Sequence, residues 1–216
     1  MDLWTELEAV RSRWNVLEHP FYQRWTSGEL TRDEFAVYAG EYRHAVVALA
    51  DAAASAARAT ETEAPELRAG LQRHAAEEFE HIALWDGFLH AVGGSVDAEP
   101  AAETVACARS WSGDGDRPLL ESLVTLYAIE SGQPAVSETK RAGLLDRYGF
   151  ERGPATAYFD LHAELDIEHA AAARAAIEPR LGGADVDALI ARAEAALRGN
   201  WELLDGVEQR RGSPVA

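Results

Sequence analysis

Apolar residues recur every three to four positions along most of the chain, which is the spacing of one face of an α-helix. In residues 2–17, for instance, Leu3, Leu7 and Trp14 fall on one stripe. Runs that alternate between apolar and polar residues, the pattern of a strand, do not compete with this interpretation. The pattern predicts an all-α protein, and 216 residues suit a single domain with one core over the whole of 1–216.

Capping and breaking residues divide this pattern into separate helices. Thr31 and Glu34 have the spacing of a capping box, and Gly93 suits the end of a helix. Pro134 lies inside a helical pattern, where it removes a backbone hydrogen bond and predicts a kink near Ser131. The predicted helices cover 2–17, 21–25, 31–59, 65–92, 101–111, 119–148, 154–177 and 184–206, with a loop over 112–118 and a loose tail from about 208.

The most informative stretch is YFDLHAELDIEHAAAA, residues 158–173. It contains His162, Asp166 and His169, and steps of four and three residues keep all three side chains on one face of a helix. Two imidazoles and a carboxylate on one stripe can hold a transition metal. The simpler interpretation is an amphipathic helix whose polar face happens to carry histidines. It is weakened because other segments supply matching groups.

Matching groups occur in two other predicted helices. Glu78 and His81 have the Glu-x-x-His spacing that carboxylate-bridged di-iron bundles use, although Glu77 could take the place of Glu78. Glu130 lies among apolar residues, where a buried carboxylate needs a partner such as a metal ion; the alternative is a surface position. The full predicted ligand set is Glu78, His81, Glu130, His162, Asp166 and His169.

This donor set indicates the kind of metal. Nitrogen and oxygen ligands without a thiolate suit iron or manganese. Three carboxylates match two divalent cations better than one, and carboxylates can bridge such a pair. The ligands divide into two expected groups, Glu78 with His81 and His169, and Glu130 with His162 and Asp166.

Several other polar residues lie near these motifs. Glu41 and His44 are candidates for supporting the ligands or for a seventh ligand, although His44 could equally be a core histidine bonded to a carbonyl. Arg43 could clamp a substrate carboxylate, or it could lie in solvent or pair with Glu41. His74 and His90 are predicted to be surface residues.

Composition limits the range of functions. The formal charge of −17, from 37 acidic and 20 basic residues, argues against binding to nucleic acid or to an anionic membrane. The single cysteine, Cys107, excludes an intrachain disulfide. The N-terminus lacks the features of a secretory signal, and no apolar run is long enough to span a bilayer. We expect a cytoplasmic protein with a small-molecule substrate, for which a homodimer is the commonest oligomer.

Five segments together resemble a known family. They are 19–35, 41–46, 77–88, 127–144 and 158–174, and the last two carry the most specific motif, His-x-x-x-Asp-x-x-His with a glutamate 32 residues upstream. The chain resembles the haem-oxygenase-like di-metal oxidases and oxygenases, whose fold is also described as TenA/PqqC-like. The resemblance implies a single seven-helix bundle and two Fe(II) ions, with manganese as the alternative. It also implies O2 as co-substrate for oxidation of an amino acid, an amine or a fatty acid.

Within this family the chain is most similar to the CADD-like subgroup, which is associated with synthesis of 4-aminobenzoate from one of the protein's own tyrosines. That resemblance implies Tyr22 as the consumed tyrosine and Lys140 as the amino donor. The chain departs from the subgroup at Ile129, where tyrosine is usual, and at Arg43, where an aromatic residue is expected. Another alternative is a metal-free thiaminase-like hydrolase, which would need a catalytic cysteine, but Cys107 lies away from the motifs.

Overall fold

The computed structural model describes residues 2–113, 115 and 117–211, and within these ranges the chain is helical and contains no strand. The predicted all-α fold class is confirmed. One-turn 3-10 helices occur at Val16–Glu18, Pro65–Leu67 and Glu178–Arg180. The α-helices are α1 (Leu3–Arg13), α2 (Pro20–Ser27), α3 (Arg32–Glu63), α4 (Arg68–Val92), α5 (Ala102–Ser112), α6 (Leu119–Glu130), α7 (Gln133–Asp146), α8 (Ala157–Ile177) and α9 (Val186–Gln209).

The described residues form more helices than the seven that the family resemblance implied. One reason is that the predicted helix over 119–148 is interrupted at Ser131 and Gly132, which separates α6 from α7. Pro134 explains the interruption, because it has no N–H to donate to the carbonyl of Glu130 four residues earlier. Counted with α6 and α7 as one kinked helix, the described part of the chain has eight α-helices.

Local signals in the sequence account for the main helix ends. The Thr31 N–H donates to Glu34 Oε2 at 2.8 Å and the Glu34 N–H donates to Thr31 Oγ1 at 3.3 Å, so the predicted capping box is present. Gly93 ends α4 with φ of 84°, a left-handed conformation that favours glycine.

The C-terminal prediction needs a correction, because α9 continues to Gln209, past the expected start of the loose tail. The rest of that tail, 212–216, and positions 114 and 116 of the predicted loop lie outside the described residues. Among the helices that are described, none is long and apolar enough to cross a membrane.

Two helices organise the packing. The long helix α3 contacts α4, α5, α6 and α9, and α8 contacts α4, α6 and α7. The core between them is rich in aromatic rings, including the fully buried Trp25, Tyr38, Trp85 and Phe88. Because α8 touches both α4 and α6, the three helices that carry the predicted ligands meet in the interior.

Candidate metal centre

The six predicted ligand side chains come together in the protein interior. Glu78 and Glu130 have no exposed side-chain area, and that of Asp166 is 1% exposed. The three histidines are buried or nearly so. The side chains come from three helices, namely Glu78 and His81 from α4, Glu130 from α6, and His162, Asp166 and His169 from α8.

These groups form two overlapping clusters that share Glu78. In one, Glu78, His81 and His162 have donor atoms within 4.8 Å of one another, and His81 Nδ1 lies 3.2 Å from Glu78 Oε1. In the other, Glu78 lies with Glu130, His169 and a further histidine. Asp166 borders the second cluster, with Oδ1 3.5 Å from His169 Nδ1.

This division differs from the expected one. The structure pairs His162 with His81, and His169 with Glu130, whereas the sequence suggested the reverse. The residues on α8 explain the difference, because His169 lies almost two turns beyond His162 and reaches a different level of the bundle. A carboxylate shared by two clusters is an arrangement suited to bridging two cations.

Unpartnered polar atoms support a metal at this place. Both carboxylate oxygens of Glu78, Glu130 and Asp166 are buried and have no partner in hydrogen-bonding geometry. The same is true of His81 Nδ1 and His162 Nε2. Buried carboxylates without compensation are costly, and a set of carboxylate and imidazole donors without a thiolate fits iron. The residues present therefore fit a metal centre.

The pKa shifts within the centre also indicate that its carboxylates require positive charge nearby. Burial opposes charge on His169, but Asp166, Glu130 and Glu78 outweigh it and raise the pKa of the ring to about 9. Burial raises the pKa of Asp166, and repulsion from Glu130 and Glu78 raises it further. Without a metal, protonated histidines such as His169 are the counter-charges nearest to these carboxylates.

Hydrogen bonds from outside the cluster fix how two of the rings face inward. His162 Nδ1 lies 2.8 Å from the carbonyl of Tyr158, which assigns the N–H to Nδ1 and leaves Nε2 as the inward donor atom. His169 Nε2 lies 3.3 Å from Glu77 Oε2, which leaves its Nδ1 facing Glu78. Glu77, with 38% of its side chain exposed, thus contacts the cluster from outside, while Glu78 lies within it.

His74 was predicted to be a surface residue, and this prediction is wrong. Its side chain is only 11% exposed, and its Nε2 lies 2.8 Å from Glu130 Oε1, inside the second cluster. The available signal was its spacing on α4, one turn before Glu78 and two turns before His81. His90, on the same helix, is exposed as predicted.

Glu41 and His44 do not join the metal centre. The Glu41 carboxylate is buried, and it accepts hydrogen bonds from the Thr104 hydroxyl and from Arg210. His44 Nε2 lies 2.9 Å from the carbonyl of Ala98. Both residues therefore tie α3 to segments that follow α4, and neither is a seventh ligand.

Arg43 has a structural partner that the sequence did not indicate. Its Nε donates to Asp86 Oδ1 at 2.6 Å and its Nη2 to Asp86 Oδ2 at 3.2 Å, in a half-buried bidentate pair between α3 and α4. It does not pair with Glu41, and with its guanidinium occupied it is not placed to clamp a substrate carboxylate.

Lys140 lies in a closed aromatic chamber next to the centre. Its side chain is buried, and burial lowers the pKa of its amine to about 7. The Trp25 indole N–H donates to the backbone carbonyl of Lys140 at 3.2 Å, which fixes this turn of α7. The aromatic chamber consists of the five rings whose centroids lie 4.6–5.7 Å from Lys140 Nζ, those of Tyr22, Tyr38, Tyr42, Trp85 and Phe159.

The aromatic chamber and the metal centre share their walls. Trp85 lies one turn after His81 on α4, and Phe159 lies one turn before His162 on α8. The Tyr158 ring stacks on the His162 ring with centroids 3.9 Å apart, and it contacts Trp85 edge-on at 5.0 Å. The Tyr158 ring thus connects Trp85, a wall of the chamber, to the predicted ligand His162.

A surface cleft of about 370 Å³ reaches the second cluster from another direction. His74 and His169 line its inner end, and leucine and alanine side chains form most of its walls. Charged side chains, including Arg73 and Glu168, also line it. The leucines are Leu67, Leu71, Leu123, Leu126 and Leu165.

The fold and the buried donor set are those of an iron-containing redox protein. The model of the family described as iron-containing redox enzyme matches residues 36–201, and the chain belongs to this haem-oxygenase-like family. The protein is therefore an oxidoreductase.

Several relatives share a more specific name, "4-aminobenzoate synthase". The one from Chlamydia muridarum is 34% identical over 82% of this chain and 78% of its own length. The one from Chlamydia trachomatis is 30% identical over 95% and 91%, and the one from Nitrosomonas europaea is 28% identical over 94% and 90%. The likeness thus extends over nearly the whole chain.

Solved structures show the same fold at low sequence identity. A TenA homologue from Pseudomonas syringae has a TM-score of 0.81 at 19% identity and covers 96% of this chain and 91% of its own. A TenA homologue from P. horikoshii OT3 has a TM-score of 0.77 at 17% identity and covers 97% of this chain and 99% of its own. These matches establish the fold alone.

The hydrolase alternative has no support in the site. Cys107 is fully buried on α5, and burial raises the pKa of its thiol far above the usual range, which disfavours the reactive thiolate. The family is one of redox enzymes. Cys107 is therefore a core residue of this fold.

Proposed function

We propose that this protein is an O2-dependent di-iron enzyme that makes 4-aminobenzoate from its own Tyr22, with Lys140 as the nitrogen donor. The observation that carries the proposal is the aromatic chamber, in which a buried lysine amine and the Tyr22 ring lie together beside the candidate metal centre. The relatives named for this product support it.

The residues that would hold the metals follow from the two clusters. Glu78 would bridge, His81 and His162 would hold one ion, and Glu130, His169 and Asp166 would hold the other. When bound, two Fe(II) ions would supply the electrons and the open coordination positions that O2 activation requires. Manganese is the alternative in either position.

Lys140 is suited to donate nitrogen because its amine is held without water. A lysine in solution is almost entirely protonated at neutral pH and has no lone pair to offer. Burial lowers the pKa of Lys140 to about 7, so that about half of the amine is neutral at that pH. A desolvated, neutral lysine amine is a nucleophile.

Tyr22 contains the carbon skeleton that the product needs. Its ring and Cβ would become the benzoate as the Cα–Cβ bond breaks, with the electrons from Cβ passing to O2 and with O2 and water supplying the carboxylate oxygens. Nζ of Lys140 would replace the phenolic oxygen, which leaves as water. Oxidation of the Cε–Nζ bond by O2, followed by hydrolysis, would then free the amino group and leave an aldehyde on Cε. The Tyr22 hydroxyl lies 3.3 Å from that of Tyr38, which orients the phenol inside the chamber.

An isotope experiment tests both donors. Protein containing ¹⁵N-lysine, loaded anaerobically with Fe(II) and then exposed to O2 without added substrate, is expected to release ¹⁵N-labelled 4-aminobenzoate, detected by mass spectrometry. Tyr22→Phe and Lys140→Met should abolish it. Tyr127→Phe is the matched control, because this half-buried tyrosine packs on Trp4, outside the chamber. Unlabelled product, or product from Tyr22→Phe, would contradict the proposal.

A second candidate, oxidation of an external amine, amino acid or fatty acid, is favoured by the cleft that reaches His74 and His169. O2 consumption by the iron-loaded protein would then rise above the basal rate when such compounds are added. The rise in O2 consumption would be equal in Tyr22→Phe. This outcome, with no 4-aminobenzoate formed, would replace the first proposal by the second.

A further inference from the structure

His74 is the one predicted surface histidine that the structure places in the centre. Its Nε2 lies 2.8 Å from Glu130 Oε1 and 3.8 Å from Glu78 Oε1, and its ring centroid lies 4.1 Å from that of His169. At 2.8 Å a hydrogen bond is expected, yet neither His74 Nε2 nor Glu130 Oε1 has a partner in hydrogen-bonding geometry.

We infer that His74 is a seventh metal ligand, completing the position formed by Glu130 and His169. When a nitrogen and an oxygen lie in contact without hydrogen-bonding geometry, the lone pairs of both atoms are free to bind one metal ion. Four donor atoms, from His74, Glu78, Glu130 and His169, lie within 4.8 Å of one another, as a shared cation requires.

The helix spacing supports this assignment. His74, Glu78 and His81 lie at successive turns of α4, so a single stripe of this helix contributes to both clusters. Glu78 occupies the middle of the stripe and is shared, while the two histidines lie at its ends. His74 would therefore bind the metal ion that Glu130 holds, just as His81 would bind the metal ion that His162 holds.

A ligand at His74 makes the two metal positions unequal. The position with His74 has two imidazoles and the carboxylates of Glu78 and Glu130, and Asp166 borders it. The other has two imidazoles and only the Glu78 carboxylate, a set that leaves positions open. This more open position is the one on the side of the aromatic chamber, since the Tyr158 ring stacks on His162 and also contacts Trp85, a ring of the chamber. His74 also stands between the cleft and Glu130, because it lines the inner end of the cleft.

Metal content tests the inference independently of product formation. After anaerobic loading with Fe(II) and desalting, the wild-type protein is expected to retain about two ions per chain and His74→Ala about one. His90→Ala is the matched control, because it removes an exposed histidine from the same helix and should retain about two. The inference concerns the metal centre and would stand even if Tyr22 were not consumed.

A second variant separates ligation from a supporting hydrogen bond. His74→Gln keeps an N–H that can donate to Glu130, but a neutral amide is a poorer metal ligand than imidazole. His74→Gln should lose the second ion, as His74→Ala does. Free imidazole, which can enter through the cleft, should restore the second ion to His74→Gly. Circular dichroism of the metal-free variants checks that they fold. Full retention by His74→Gln, or by a folded His74→Ala, would overturn the inference.

Discussion

Lysine is normally charged, yet the side chain of Lys140 is buried away from water. Five rings surround its amine, and a cation there would have only their faces for solvation. Burial lowers its pKa from 10.5 to about 7, which stabilises the neutral amine. The free energy of folding therefore includes a cost for this residue, a common feature of residues placed for chemistry rather than stability.

That cost has a defined pH dependence. Between pH 7 and 10.5 the unfolded chain holds one more proton than the native protein at this site, so the free energy of unfolding should rise with pH by about 1.4 kcal/mol per unit. Below pH 7 and above 10.5 the contribution is flat. Lys140→Met should remove it, because methionine fills similar space without a charge.

Denaturant unfolding at pH 7 and pH 9 measures this difference. Lys140→Met should be more stable than the wild type at pH 7, and its advantage should shrink at pH 9. Arg141→Met, which changes a neighbouring residue that forms ion pairs near the protein surface, is the control and should show no such change in advantage. An advantage of Lys140→Met that is equal at both pH values would show that the amine titrates normally.

At the scale of single residues, the sequence predicts some roles and leaves others open. The spacing of His162, Asp166 and His169 places them on one helix face wherever the helix lies, so their convergence could be predicted. Whether Glu77 or Glu78 faces inward depends on the rotation of α4 against α8, which no local pattern contains. His74 could be recognised as part of the site only through its contact with Glu130, which lies 56 positions away in the sequence.

At the scale of helices, the approach of α2 to α7 depends on a missing side chain. A Cβ at Gly143 would clash with Nε1 of Trp25, whose indole is fully buried and donates a hydrogen bond to the Lys140 carbonyl. Neither group can move without disturbing the aromatic chamber. This close contact therefore holds Lys140 and Tyr22, which belong to different helices, at a fixed separation.

Gly143→Ala should destabilise the protein by about 1–3 kcal/mol through this clash. Gly70→Ala is the matched control, since Gly70 lies in α4 with nothing within 4 Å of its Cβ position. It should gain up to about 1 kcal/mol from helix propensity. Thermal and denaturant unfolding of both variants give the two values. A Gly143→Ala protein as stable as Gly70→Ala would mean that α2 and α7 are not in tight contact.

The helix boundaries show what a sequence does and does not predict at this scale. The capping box at Thr31 and the glycine at Gly93 act locally, and both ends lie where expected. The interruption at Ser131 also has a local cause in Pro134. The pairing of helices is different, because the order in which α3 and α8 contact their neighbours depends on side-chain shapes across the whole core.

At the scale of the molecule, the metal centre lies between two environments. On one side the aromatic chamber encloses Lys140 and Tyr22, and on another the cleft opens to solvent. Both share α4 and α8 as walls. The arrangement allows a small molecule to approach the centre from the cleft, while Lys140 and Tyr22 stay covered.

The same arrangement links metal binding to the stability of the whole protein. Glu78, Glu130 and Asp166 are buried without hydrogen-bonding partners, so in the metal-free fold their charge is balanced by nearby histidine rings such as that of His169. Metal ions bind the native state and not a preformed site in the unfolded chain, so adding them should raise the melting temperature. Stability should therefore be lower in the metal-free protein than its well-packed core would suggest.

Glu130→Gln provides the sharpest test of this link. In the metal-free protein it removes a buried carboxylate that lies 2.8 Å from His74 Nε2 and helps to raise the pKa of His169, so the free energy of unfolding should fall by about 3–5 kcal/mol. In the presence of Fe(II) or Mn(II) the gap to the wild type should widen, because the variant loses a ligand and with it most of the metal-induced gain. Glu80→Gln, which changes an exposed glutamate of α4 that belongs to neither cluster, should alter neither value much. If Glu130→Gln still gains the full increase with metal, then the Glu130 carboxylate does not bind metal.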